Sequence, residues 1–126
     1  MAFEETEREL TPQRVAEMLS GGEAQVVDVR EPYEYEAGHI AGVKHIPLEH
    51  LAGAAGEIDK EKRVVFHCRI GRRSALATEA FAASGYDAHN MAGGIEAWAE
   101  AGLPLEPEDG VVAHHGPSST VENTKM

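Results

Sequence analysis

Residues 64–74 read Val-Val-Phe-His-Cys-Arg-Ile-Gly-Arg-Arg-Ser and hold the one cysteine of the 126-residue chain, with three arginines in the next five positions. A cysteine reacts as its thiolate, and neighbouring cations lower its pKa from about 8.5. Gly71 permits a tight curl of the backbone. A loop curling into a helix start aims several N–H groups at one spot, which suits an anion. The expected device is a Cys68 thiolate in a cradle formed by Arg69, Ile70, Gly71, Arg72, Arg73 and Ser74. Arg69, Arg72 and Arg73 would draw an anionic substrate to it. The competing reading is a buried, inert cysteine beside a solvated basic loop. Strand-end position, glycine and clustered charge together weigh against that reading.

The target atom follows from what the loop lacks. Attack on sulfur needs no general acid when the leaving group is a stable anion such as sulfite, and the product is an anionic persulfide. Attack on phosphorus requires a grip on three oxygens, usually by a bidentate arginine, and a proton for the leaving oxygen. The loop carries no histidine or carboxylate for that proton.

The rest of the chain must position this loop. Its length suits one compact domain, and 42 % hydrophobic residues are too many for a disordered chain. The formal net charge of −11 argues against nucleic acid and against an anionic membrane as partners. A lone cysteine excludes an internal disulfide, a CxxC pair and a cysteine-rich zinc site. The first ten residues, Met-Ala-Phe-Glu-Glu-Thr-Glu-Arg-Glu-Leu, lack the basic and apolar regions of a signal peptide, so a cytoplasmic location is expected.

Hydrophobic periodicity predicts alternating elements. A helix follows Thr11 and Pro12, with Val15, Met18 and Leu19 inward and Gly21–Gly22 as its stop. Strands are expected at 24–29, 42–47, 62–68 and 86–91, with 32–40 a turn or short helix and 48–58 a helix and loop. A helix over 74–85 should bury Leu76, Ala77, Ala80 and Phe81, and one over 93–104 should bury Ile95, Trp98 and Ala99. The class is α/β, a parallel sheet with helices on both faces. Cys68 then lies beyond a strand's carboxyl end, where ligands bind in such sheets. The domain is assigned to residues 1–105, and 106–126 is read as a tail, flexible or loosely packed.

Four segments carry a family resemblance. The loop Cys68-Arg69-Ile70-Gly71-Arg72-Arg73-Ser74 resembles the active-site loop of the rhodanese (sulfurtransferase) family in its single-domain form. Residues 26–47, Val-Val-Asp-Val-Arg-Glu through Gly-His-Ile to Ile-Pro, and residues 91–98, Met-Ala-Gly-Gly-Ile-Glu-Ala-Trp, are similar to its flanking motifs, in family order. The resemblance covers about residues 8–105. It implies a five-stranded parallel sheet, a Cys68 that cycles between thiol and persulfide, and no cofactor. It implies that residues 69–73 cradle the outer sulfur while Ser74 closes the loop or bonds the sulfur. Related phosphatases have one more residue in the loop. Here four residues separate Cys68 from Arg73, and Ser74 holds the phosphatase arginine position. Family members with cationic loops tend to use thiosulfate, so the arginines favour that dianion over 3-mercaptopyruvate.

The expected activity is transfer of a sulfane sulfur from a small anionic donor to cyanide, a cellular thiol or a sulfur-relay protein. The alternatives are a sulfur-carrying or binding module without fast turnover and, further off, a phosphatase or oxyanion reductase. Asp28 and Arg30, at or just past a strand end on the same side of the sheet as Cys68, are candidates for support, with Asp28 and Glu31 read as structural. His39 is read as a turn residue, His67 as facing away from the thiol, and Trp98 as a core anchor. His114–His115 is a weak metal motif, so no metal is expected, and Glu4, Glu5, Glu7 and Glu9 form a solvated acidic end.

Overall fold

The computed structural model describes residues 7–114. Five parallel strands form one sheet in the order β1-β5-β4-β2-β3. They are β1 (Glu9–Leu10), β2 (Gln25–Asp28), β3 (Lys44–His45), β4 (Val64–His67) and β5 (Ala88–Met91). Between and after them run α1 (Pro12–Gly21), α2 (Pro32–Ala37), two single 3-10 turns (Leu48–His50 and Ala55–Glu57), α3 (Arg72–Ala83) and α4 (Gly94–Glu100). β1 is the strand that periodicity missed: it is two residues long and, unlike β3 with Val43 and Ile46 beside it, has no flanking apolar residues to mark it.

The strands alternate between two cores. Val64, Phe66 and Cys68 face one, with Val27, Val29, Ala77 and Phe81. Val65 faces the other, with Val26, Val15, Met18, Ile95 and Trp98. α3 and the 3-10 turns thus cover one face, and α1 and α4 cover the opposite one. All four residues of β4 are buried, as expected for a central parallel strand covered on both faces.

Local chemistry sets the helix ends. The Thr11 side chain accepts a bond from the Arg14 N–H at 3.1 Å, and Gly22 closes α1 in a left-handed conformation. α3 starts at Arg72, two residues earlier than expected, because Gly71 at φ 100° already serves as its N-cap. Its buried stripe is Ser74, Ala77, Thr78 and Phe81, while Leu76 and Ala80 are exposed. Counting only apolar residues hid this stripe, since two of its members are polar. The Thr78 hydroxyl lies 2.9 Å from the Ser74 carbonyl and 3.1 Å from that of His89, so its polarity is satisfied. Ala99 of α4 is only partly buried.

The domain continues past residue 105. Glu106 and His39 exchange backbone bonds of 2.9 and 2.7 Å, and the Val111 N–H donates to the Ala37 carbonyl at 2.8 Å. Any Cβ on Gly38 would overlap Val111, so glycine there allows the segment to lie against the end of α2. Residues 106–112 are therefore tied to the domain, in place of the loosely packed start of a tail. Val121 and the rest of 115–126, like Glu4 and Glu5, lie outside the described residues.

Candidate active site

The sheet changes direction between its central strands. After β2 the chain runs outward to β3, and after β4 it runs the opposite way to β5. The crevice beyond the carboxyl ends of β2 and β4 is the switch point where ligands bind in open α/β sheets. Cys68 follows β4 directly, and α2 follows β2.

Cys68 Sγ accepts three bonds: from the Gly71 N–H at 3.2 Å, the Ser74 N–H at 3.4 Å and the Ser74 hydroxyl at 3.3 Å. Two of these donors belong to the first turn of α3, whose dipole also favours negative charge. The thiol is fully buried. A persulfide would extend its outer sulfur about 2 Å further.

The loop is anchored from behind by α4. The Ile95 and Glu96 N–H groups donate to the Cys68 and Arg69 carbonyls at 2.9 and 3.0 Å. This approach is close enough that a Cβ on Gly94, at φ 64°, would overlap both carbonyls. Asn90 of β5 donates to the Gly71 carbonyl at 3.1 Å. Gly94 is thus a packing requirement of the cysteine loop, while a Cβ on Gly93 would overlap Ala97 within α4.

The three arginines do not behave alike. Arg69 pairs with Glu96. Arg73 forms a two-pronged pair with the fully buried Glu34 of α2, at 2.8 and 3.0 Å. Burial opposes the charge on Arg73, but Glu34 more than offsets it and raises its pKa above the ordinary arginine value. Arg72 is exposed and makes no ion pair or hydrogen bond among the described residues. Ile70 is 41 % exposed at the loop tip. Sequence reasoning missed Glu34, Glu96 and Asn90. Only Glu34 left a trace, the three-residue spacing from Glu31 that forms a capping box on α2.

Asp28 and Arg30 lie apart from the thiol. Both are fully buried on the Val26 and Val65 face of the sheet, opposite to the Phe66 and Cys68 face. Arg30 bonds both Asp28 oxygens, at 2.7 to 3.1 Å, and the Gly38 carbonyl at 2.9 Å. It touches α2's end and not the loop, which corrects the expectation that the pair sits on the Cys68 side. His67 faces Asp28 at 3.8 Å. Burial tends to raise the Asp28 pKa, but facing His67 and Arg30 hold it below the usual carboxylate range. Burial lowers the His67 pKa despite Asp28. His39 bonds the Tyr35 carbonyl and stacks on the Tyr35 ring, a turn role. The Trp98 indole N–H donates to the Pro104 carbonyl at 2.8 Å within the core. Among the described residues, which exclude His115, no group of three His, Cys, Asp or Glu side chains could hold a metal ion, and no helix is long and apolar enough to cross a membrane.

With this geometry in place, the comparisons with known proteins agree on a class. The model of the Rhodanese-like domain matches residues 11–101, and the chain belongs to that family. The chain is 40 % identical over 76 residues to the uncharacterized protein YqhL of Bacillus subtilis, covering 60 % of this chain and only 60 % of that one. It is 33 % identical over 95 residues to thiosulfate sulfurtransferase GlpE of Pseudomonas aeruginosa, covering 75 % of this chain and 86 % of GlpE. Among solved structures, a rhodanese-related protein of Thermoplasma volcanium aligns with TM-score 0.73 and 32 % identity, over 78 % of this chain and 96 % of that one. A protein of unknown function from Rhodopseudomonas palustris, described as a possible tyrosine phosphatase, aligns with TM-score 0.70 and 29 % identity, over 80 % and 86 %.

Proposed function

We propose that the domain is a thiosulfate sulfurtransferase working through a Cys68 persulfide. The observation that carries this reading is the set of three donors converging on Cys68 Sγ. In the first step the Cys68 thiolate attacks the outer sulfur of thiosulfate. The new S–S bond forms as the old one breaks, and sulfite leaves with the bonding pair. One thiolate and one dianion become one persulfide anion and one dianion, so no proton moves. In the second step an acceptor nucleophile takes the outer sulfur and Cys68 leaves as thiolate. Cyanide becomes thiocyanate in this way, and a thiol becomes a persulfide. Ping-pong kinetics follow.

The pairing of the arginines narrows the earlier charge argument. Arg69 and Arg73 are occupied by carboxylates, so Arg72 is the loop cation that meets the donor. The same pairing counts against a phosphatase, because Arg73, the loop arginine next to the phosphatase position held by Ser74, already grips Glu34. Similarity to the sulfurtransferase GlpE supports the transfer reading.

The test is intact mass after incubation with thiosulfate and then cyanide. A gain of one sulfur, removed by cyanide as thiocyanate, is expected, with loss of all turnover in Cys68→Ser. Well-folded, reduced protein that gains no sulfur would sink the proposal. Loading without turnover would instead support the carrier alternative. A higher kcat/KM for 3-mercaptopyruvate than for thiosulfate would refute the donor assignment.

A further inference from the structure

Large exposed hydrophobic side chains are sparse in the described residues: Tyr33 (49 % exposed), Ile70 (41 %), Leu76 (63 %) and Val111 (61 %). Scattered singly, such residues need no explanation. Here three of the four stand on the segments that build the crevice. Tyr33 is on α2 next to Glu34, Ile70 is at the tip of the cysteine loop, and Leu76 is on α3. Leu76 lies one helical turn from Arg72, on the same outward side of α3. The rim formed by the loop tip and the outward side of α3 thus carries apolar side chains and one cation with no ion pair or hydrogen bond among the described residues, on a chain of net charge −11.

We propose that this rim docks a protein thiol acceptor, by a segment whose cysteine is flanked by an apolar side chain and carboxylates. The inference rests on the sulfurtransferase reading above. Arg72 dictates the sign of the partner's charge. An acidic segment is repelled by most of this protein and attracted at Arg72, so charge directs it to the one place where its cysteine can meet the persulfide. Ile70 and Leu76 supply the apolar contact that a cyanide ion or a small hydrophilic thiol could not use. The burial of Cys68 and the lack of a second cysteine in the chain require the acceptor thiol to come from outside. The acceptor thiolate attacks the outer sulfur, the acceptor S–S bond forms, and the Cys68 S–S bond breaks to return the Cys68 thiolate. Charge and atoms balance without an oxidant or reductant.

The test uses full-length protein loaded with thiosulfate, its persulfide measured by intact mass. Three probes then discharge it: a peptide with Leu-Cys-Glu-Glu at its centre, one with Leu-Cys-Lys-Lys, and glutathione. Rates are compared per thiolate. The acidic peptide should be faster than the basic one by about tenfold or more at low salt, a steering effect that fades as ionic strength rises. Leu76→Ser, at an exposed position outside the cradle and without a new charge beside Arg72, should slow discharge by the acidic peptide several-fold while loading by thiosulfate and discharge by cyanide stay unchanged. Equal rates for the two peptides, a faster discharge by glutathione than by either, or an acidic-peptide rate that Leu76→Ser does not lower would overturn the docking site and leave the transferase standing. Failure of the wild-type protein to load would overturn both.

Discussion

Two adjacent strands, β2 and β4, end side by side, and each delivers an arginine paired with a carboxylate within a few residues. After β2 the pair is Arg30 with Asp28, two residues apart and fully buried, with the guanidinium turned away from the crevice. After β4 the pair is Arg73 with Glu34, 39 residues apart and spanning the crevice, with Arg73 partly exposed. The first stitches α2's end onto the sheet. The second joins α2 to the helix whose first turn holds Cys68. The same residue types thus give a sealed brace in one loop and the wall of an open site in the other. What separates them is the thiol, the left-handed glycine beside it, and an exposed Arg72.

The largest stability effect should come from the sealed brace. Asp28→Ala leaves Arg30 buried without its counterion, which costs about 3–5 kcal/mol. Replacing both partners, as in Asp28→Leu with Arg30→Met, should recover most of that loss. Urea unfolding of both variants checks this. If Asp28→Ala unfolds like wild type, the brace is not structural and its contrast with the site loop collapses.

On the open side the effect should be kinetic. Arg72→Ala should lower kcat/KM for thiosulfate by about tenfold through KM, with an unchanged unfolding midpoint and a weaker dependence on salt. An equal loss with a neutral sulfur donor would mean that Arg72 shapes the loop instead of attracting the anion.

Stability should also fall with acid in two windows. His67 has a lowered pKa in the folded state, so its contribution is complete above its unfolded value of about 6.5 and is lost as pH falls toward the folded one. Asp28, also lowered, contributes above about 3.9 and is lost further down. A His67→Gln variant should lack the upper window and keep the lower. Finding the upper window intact in that variant would assign it to another histidine.

Local chemistry was legible in the sequence and long-range pairing was not. Thr11 and Gly22 announced the ends of α1 because caps depend on one or two residues. Four of the five strands had enough alternation or flanking apolar length to be read, and the family resemblance implied a fifth without placing it. The cysteine loop stood out because its chemistry is contiguous. Yet the fates of Arg69 and Arg73 depended on carboxylates 27 and 39 residues away. Polarity misled in the other direction at α3, where Ser74 and Thr78 are buried because sulfur and carbonyl partners satisfy them.

The smallest effect concerns how the two regions are held from outside. The cysteine loop is anchored by α4, within the rhodanese-like match, whereas α2 is anchored in part by residues 106–112. A protein ending at residue 114 keeps every contact described for that segment, while one ending at 105 loses the Glu106 and Val111 backbone bonds. The first should unfold like the full chain. The second should lose stability by about 1 kcal/mol per exposed bond or less, since water replaces part of each. Its thiosulfate KM should rise modestly, because α2 carries Glu34 and Glu34 holds Arg73. Its persulfide loading at saturating donor should persist, because none of the three donors to Cys68 Sγ touches α2. Loss of loading in the shorter protein would mean that the two regions share one anchor.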